Sequence, residues 1–396
     1  MRNRFERSTV IGLALVAVSA VLYWLANRDF DAGRGDLFYL ADAFLHGRTW
    51  LEFQPGQNDV IIEGDRFYVP FAPVPAIAFM PLVFLIGADS ADIWESGINA
   101  FLAASTVGMG WWLLGRIGVE RTWDRIWLVA LLGFSTQILW ITTRGGVWHT
   151  GHLVATLLTL GCLIELWGRR RAWLIGLMAG AAFLTRAPLA FAVPFYALML
   201  YDGSIVPRIR ALPWRQWIGL AAGVLPSIAF FFWYNQLRFG TPLESGYMLA
   251  TLPDWLEAQR ELGLFSLAHV PMNIDYLFLH LPAIIPDFPF FRPDGLGMSV
   301  LLTSPGLLYA ARADRRDRWA WLLLGAAVAV LIPTLLYYGG GWLQYGYRYF
   351  LDSIPFIWAI CAMAAVYRGR IGWRWRAVFA VGLVVMAFAP FWAYRI

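Results

Sequence analysis

Residues 71–87 read FAPVPAIAFMPLVFLIG, and the side of the membrane given to every later loop depends on whether this run crosses. It is apolar enough to be embedded, yet it holds Pro73, Pro75 and Pro81, which remove backbone donors and oppose a regular helix. If it spanned the bilayer, Arg116, Arg121 and Arg125 would fall outside and each following loop would invert, against the rule that arginine-rich loops face the cytoplasm. We therefore read it as a re-entrant or surface-lying segment. Irregular backbone at that depth needs protein or a wet cavity beside it.

Outward from this run the chain is mostly span. Apolar stretches of about 18 residues or more mark transmembrane helices. Candidates fall at 8–26, 97–115, 126–142, 150–167, 172–186, 188–201, 216–234, 296–311, 319–338, 350–366 and 374–392. Composition agrees: 14% of residues are charged, against about 25% in ordinary globular domains. The expected class is an all-α polytopic membrane protein of about eleven transmembrane helices, one domain over 1–396, with an inside N-terminus. All 31 basic residues are arginines. Most sit in six clusters, at Arg2 to Arg7, Arg116 to Arg125, Arg169 to Arg171, Arg208 to Arg215, Arg312 to Arg318 and Arg368 to Arg376. Loop placement thus accounts for the net charge of +5, and no nucleic-acid partner is implied. Cys162 and Cys361 fall inside apolar spans, so no disulfide framework is readable. The run after Arg7 lacks a small-x-small cleavage site and ends in Trp24 and Leu25, which reads as an uncleaved first helix.

Two long outer segments carry the polar chemistry. The first, 27–96, holds Asp29, Asp31, Asp36, Asp42, Asp59 and Asp65 and is expected to contain juxtamembrane helices. In the second, 235–295, DWLEAQREL (254–262) reads as a short surface helix and 276–285 as an interfacial run. Segments 172–186 and 188–201 are short for spans and are separated by Pro188. They place Arg186 at or below the outer surface. A charge in the bilayer centre costs at least about 2.5–3.5 kcal/mol, so Arg186 should face a wet cavity or a partner.

The run GDLFYLADAFLHG (35–47) resembles the first outer loop of the GT-C superfamily of integral membrane glycosyltransferases, and GDRFYVPFAPVPAIAFMPLVFLIG (64–87) is similar to the sequence that follows it there. TRGGVWHTGH (143–152), LTRAPLAFAVPF (184–195), WYNQLRFGTPLESGY (233–247) and YGYRYFLDSIPF (345–356) are similar to bacterial members, in order along the chain. Relatives in that superfamily include protein O-mannosyltransferases and the aminoarabinose transferase of lipid A. The resemblance implies a GT-C-like fold in the bacterial cytoplasmic membrane. It implies transfer of a sugar from a polyprenyl phosphate to a glycan, lipid or protein acceptor on the outer face, with inversion. It also implies an acidic general base in the first outer loop, commonly in an Asp-Glu pair just before a tyrosine. Asp36 takes the first position of that pair, three residues before Tyr39, and Leu37 replaces the second acid.

Such a reaction needs a carboxylate to deprotonate the acceptor and cations to hold the phosphate. Asp36 is the candidate base; capping of the helix beginning at Leu37 is the bland reading of the same residue. Arg348, in an aromatic-rich turn with Trp342, Tyr345, Tyr347 and Tyr349, is the first candidate for the donor phosphate, followed by Arg186, Arg144 and Arg238. An interfacial anchor is the alternative for Arg348. His149 and His152, at i and i+3, are read as polar lining of the cavity. Asp59, Tyr68, Trp148, Glu244, Tyr247 and Tyr345 are candidates for sugar or acceptor. Asp29 and Asp31 form a D-x-D pattern that is common by chance. Arginines alone can stabilise a monophosphate leaving group, so no cofactor or metal is required. The competing reading is a transporter or flippase for lipid-linked sugars.

Overall fold

The computed structural model describes residues 2–28, 35–201 and 212–395. Asp29, Asp31, Arg208 and Arg210 lie outside the described residues. The described chain is mostly helical with almost no sheet. Helix α1 (Arg2–Asn27) leads to α2 (Asp36–Leu45), a hairpin of β1 (Ile61–Glu63) and β2 (Arg66–Tyr68), α3 (Val74–Ile86) and α4 (Ala88–Ile93). Then come α5 (Glu95–Ile117), α6 (Thr122–Phe134), α7 (Gln137–Arg144), α8 (Val147–Leu166), α9 (Ala172–Phe183), α10 (Val193–Met199) and α11 (Trp214–Phe239). The second long connection holds α12 (Asp254–Arg260), α13 (Val270–Ile274) and a hairpin of β3 (Ala283–Ile284) and β4 (Phe291–Arg292). After it lie α14 (Val300–Thr303), α15 (Arg318–Leu336), α16 (Ile354–Arg368), α17 (Trp373–Ala387) and α18 (Ala389–Ala393).

Among the described residues six helices are long and apolar enough to cross a membrane: Ser8–Asn27, Glu95–Ile117, Val147–Leu166, Trp214–Phe239, Arg318–Leu336 and Trp373–Ala393. A seventh span results if α6 and α7 count together, although they bend by 45°. The bend sits at Thr136, whose hydroxyl donates to Leu132 O and caps α7 by accepting from Ile138 N. Thus 126–142 is not one straight helix.

Two further expectations are corrected. Residues 71–87 do form a regular helix, α3, of 13 residues. Pro73 is its N-cap and Pro75 lies in its first turn, where a missing N–H costs nothing; only Pro81 interrupts the ladder. Its length, roughly 20 Å, is short of a hydrocarbon core of about 30 Å. It packs on α2 instead, with Phe79 against Phe38 at 5.0 Å between ring centroids. Residues 296–311 are not a continuous α-helix. Ser304 precedes Pro305, which disfavours helical backbone there, and Pro305–Arg312 continues as a 3-10 helix.

The helix ends gather at two levels. At one level Asn27 donates to Ser96 O and Thr142 O, and Arg144 donates to Ala393 O. The other level is rich in arginine: Arg376 pairs with Asp124 at 3.0 Å, Arg170 donates to Met199 O and Arg318 to Tyr201 O. Between these levels α9 and α11 touch backbone to backbone. A Cβ on Gly176 would lie 2.1 Å from Leu220 O, and one on Gly223 would lie 2.2 Å from Trp173 O. Each helix thus carries its own small-x-x-x-small pair, Gly176 with Gly180 on α9 and Gly219 with Gly223 on α11.

The surface helix expected over 254–262 forms as α12, with no buried residue. The run 276–285, expected to lie at the interface, turns into the β3–β4 hairpin, whose Phe288 leans on Phe388 and Phe391. At the base of this hairpin His280 Nδ1 lies 2.9 Å from Asp275 Oδ2, and its Nε2 lies 2.9 Å from Asp294 Oδ2. Burial opposes the charge on His280, but the carboxylates of Asp294 and Asp275 raise its pKa above the ordinary 6.5.

Two outcomes follow from this packing. Gly176→Leu should lower the melting temperature in mild detergent by an amount corresponding to at least about 1–3 kcal/mol, because the facing group is the backbone at Leu220 O and cannot swing aside; an unchanged melting curve would show that α9 and α11 are not in contact. The His280 clasp is fully present below pH 6.5 and is lost as pH rises through the raised value. Amide protection in 275–299, corrected for intrinsic exchange, should therefore fall on going alkaline in the wild type and show no such step in His280→Gln.

Candidate functional site

The site is built around the start of α8. Gly145 and Gly146 turn the chain with φ of 58° and 80°, a conformation that side chains resist. Glu95, at the start of α5, fixes the new helix: its Oε1 accepts from Gly146 N at 2.8 Å and lies 3.2 Å from the Thr150 hydroxyl. Three successive functional side chains are thereby aimed. Trp148 donates from Nε1 to Asp59 Oδ2 at 2.9 Å. His149 donates from Nδ1 to Gly145 O at 2.6 Å, and its buried Nε2 has no hydrogen-bond partner. One turn later, His152 Nδ1 lies 3.3 Å from Asp352 Oδ1, outside hydrogen-bond geometry, and neither ring nitrogen is hydrogen-bonded.

Asp352 receives Arg186 in a two-pronged ion pair, with Nε to Oδ2 at 3.0 Å and Nη2 to Oδ2 at 2.9 Å. Arg186 stands at the break after α9, where the backbone turns extended. The partner required for a cation there is therefore a carboxylate from the start of α16. The Arg186 and Arg348 guanidinium carbons each lie 5.2 Å from the Tyr349 ring centroid, so one aromatic side chain serves two cations. Arg348 is buried, donates from Nη1 to Trp342 O at 2.8 Å, and has a partnerless Nε. Among the described residues no carboxylate lies within ion-pair distance of it. Arg144 is within electrostatic reach of Arg348, and both are within reach of His149.

The structure therefore brings together Arg186, Arg348, Arg144, His149 and His152. Trp148 and Asp59 stand beside them. Tyr247 is within electrostatic reach of Arg186, Tyr349 and Asp59. Asp59 itself holds a left-handed backbone (φ 55°) and its N–H donates to Thr251 O, so it joins the two long connections. Asp36 is buried, in the first turn of α2 rather than capping a helix that begins at Leu37. Gly35 before it lies against Asp92, and the core under α2 includes Val147 and borders Trp148. In this way Asp36 is held on the same side of the bundle as the start of α8.

Four candidates have other work. Tyr345 is fully buried, stacks on Trp140 and donates to Val385 O at 2.6 Å, so its hydroxyl is unavailable to a sugar. Arg238 spends both terminal nitrogens on Val69 O, Asn235 Oδ1 and Ser245 O, a joint between connections rather than a phosphate clamp. Tyr68 packs beneath that joint against Phe239, and Glu244 accepts from Gly246 N within its own loop. Glu95, Tyr349 and Asp352 were not singled out from sequence. An acid at the head of an apolar run, as in FLDSIPF (350–356), is the signal that would have paired Asp352 with Arg186.

Comparison of the chain with protein-family models, with curated proteins and with solved structures gave no match.

The Arg186–Asp352 pair can be tested by a mutant cycle. Asp352→Leu alone strands a largely buried guanidinium and should cost about 3–5 kcal/mol. Arg186→Met with Asp352→Leu should recover most of that loss in thermal unfolding. Equal loss in the single and double variants would show that the pair is not the stabilising unit.

Proposed function

We propose that this chain is a GT-C-like glycosyltransferase that moves a sugar from a polyprenyl phosphate to an acceptor hydroxyl on the outer face of a bacterial cytoplasmic membrane. The observation that carries the reading is the cationic group at the start of α8. A buried arginine with no carboxylate at ion-pair distance among the described residues, and a buried His152 whose ring N–H has no hydrogen-bond partner, suit an anion with several acceptor oxygens, while His149 Nε2, an acceptor once Nδ1 donates to Gly145 O, suits a hydroxyl of the sugar or acceptor. A phosphate ester is such an anion. In this reading Asp36 takes the proton from the acceptor hydroxyl, the acceptor oxygen attacks the anomeric carbon, and the bond from that carbon to the phosphate oxygen breaks. Negative charge grows on the departing phosphate, where Arg348, Arg186 and Arg144 stabilise it. Asp59, Trp148 and Tyr247 would line the sugar or acceptor side.

The proposed topology has eleven passes and a cytoplasmic N-terminus. It is supported by the alternation of chain ends between the two levels and by the arginines at one of them. A transporter for lipid-linked sugars is the second reading, favoured by the short elements that meet at Arg186.

Purified protein incubated with a panel of polyprenyl-phosphate sugars should release the prenyl phosphate. Asp36→Asn should lower turnover by roughly 10²–10⁴-fold with donor binding retained, while Arg348→Ala should weaken donor binding. Undiminished turnover in Asp36→Asn would remove Asp36 as the base. Movement of the intact donor across a vesicle, without release of prenyl phosphate, would favour the transporter.

A further inference from the structure

At the arginine-rich level a cavity of about 370 Å³ opens among the last turns of α5, α8 and α16 and the start of α15. Its walls are Trp167 and Trp319, with ring centroids 4.6 Å apart and planes tilted by 53°, together with Tyr367 and Met363. Ile117, Val366, Asp314 and Asp317 complete the lining. Each of these carboxylates uses Oδ1 to hold a turn, Asp314 accepting from Arg316 N at 3.0 Å and Asp317 from Trp319 N at 2.8 Å. Arg312, Arg315, Arg316 and Arg368 are close in the chain or in space. Even so, among the described residues neither acid has a cationic side chain within ion-pair distance. Acids that decline so many nearby arginines, and that face a pocket of indole and phenol rings, are arranged for a cation arriving from elsewhere.

We propose that this cavity binds the ammonium headgroup of an aminophospholipid. Aromatic faces attract ammonium groups, and the second oxygen of each carboxylate supplies charge and hydrogen-bond acceptors. The phosphate of the same headgroup then faces the arginines at the mouth. Arg368 lies over the Tyr367 ring at 5.0 Å and uses Nε on Arg312 O, which leaves its terminal nitrogens for an anion. A wholly anionic headgroup would meet two carboxylates, and an isolated cation would enter a field dominated by arginine. A zwitterion satisfies both. The depth is also right, because the cavity lies where the spans Glu95–Ile117 and Val147–Leu166 end, at headgroup level. This site is independent of the glycosyl-transfer reading and stands or falls without it.

The test uses the full chain in nanodiscs of equal phosphatidylethanolamine and phosphatidylglycerol, extracted gently, with retained lipid measured by mass spectrometry. The wild type should retain phosphatidylethanolamine roughly tenfold above its share of the bulk lipid, the enrichment expected from about 1.4 kcal/mol of preference. Asp314→Asn with Asp317→Asn should return that ratio to the bulk value. Asparagine keeps both turn acceptors and caps α15 as well as aspartate does, so the fold is preserved, and an unchanged melting temperature in lipid-free detergent checks it. Trp319→Leu should reduce the enrichment independently of charge. Displacement of the lipid by free phosphoethanolamine would place the recognition in the headgroup, and its absence would assign a share to the acyl chains; either result sustains the site if the double variant loses the lipid. Equal retention by wild type and double variant, or preferential retention of phosphatidylglycerol, would overturn it.

Discussion

The arrangement of this bundle depends on a guanidinium and a carboxylate that meet where two short helices end. Arg186 follows α9 and Asp352 precedes α16, and neither could sit alone at that depth without a cost of several kcal/mol. Their pairing fixes the separation of two parts of the chain that are 166 residues apart. It also dictates local structure. The helix must stop at Arg186 for the side chain to reach across, and the segment Arg348–Asp352 must wind as a tight 3-10 turn so that Asp352 faces back. His152 and Tyr349 then occupy positions defined by the pair rather than by their own hydrogen bonds.

Glu95 exerts a second constraint, on orientation rather than distance. Helix α8 begins with donors that nothing inside the helix can satisfy, and the Glu95 carboxylate accepts the first of them at Gly146. Because that contact sets the rotation of α8, it also decides which side chains face the polar end. Trp148 reaches Asp59, and His149 and His152 turn toward the arginines. Aromatic and charged groups from four segments therefore converge although no two of those segments are adjacent in sequence.

Much of the architecture was legible in the sequence because it follows from length and polarity. Long apolar runs such as 97–115 and 319–338 can hardly be anything but helices, and the short pair around Pro188 announced a break. What composition could not show was the backbone at proline. Pro73 and Pro75 look like helix breakers in a string of letters, but at the start of α3 they cost no hydrogen bond, whereas Pro305 does end regular helix by acting on Ser304. Site residues divided along similar lines. Arg186, Arg348 and the two histidines were recognisable as polar groups stranded in apolar sequence. Tyr345 and Arg238 looked equivalent to them, and only their three-dimensional partners, Val385 O for one and Val69 O for the other, reveal that their polar atoms are already occupied.

That distinction between occupied and unoccupied polar atoms bears directly on what the polar end can do. A buried donor with no acceptor costs about 1–3 kcal/mol, and like charges in a region of low dielectric add to that cost. Arg348 and Arg144 are within electrostatic reach of each other; Arg186 is neutralised by Asp352, whereas among the described residues Arg348 has no carboxylate within ion-pair distance. Tyr349, offering one ring to two guanidinium groups, spreads positive charge without cancelling it. A folded chain keeps such an arrangement when some state of it recovers the cost. In the proposed reading, an anion with several oxygens would recover it by accepting the unpaired donors and offsetting the positive charge together, so binding would strengthen most for the ligand, or the transition state, with the greatest negative charge at that point.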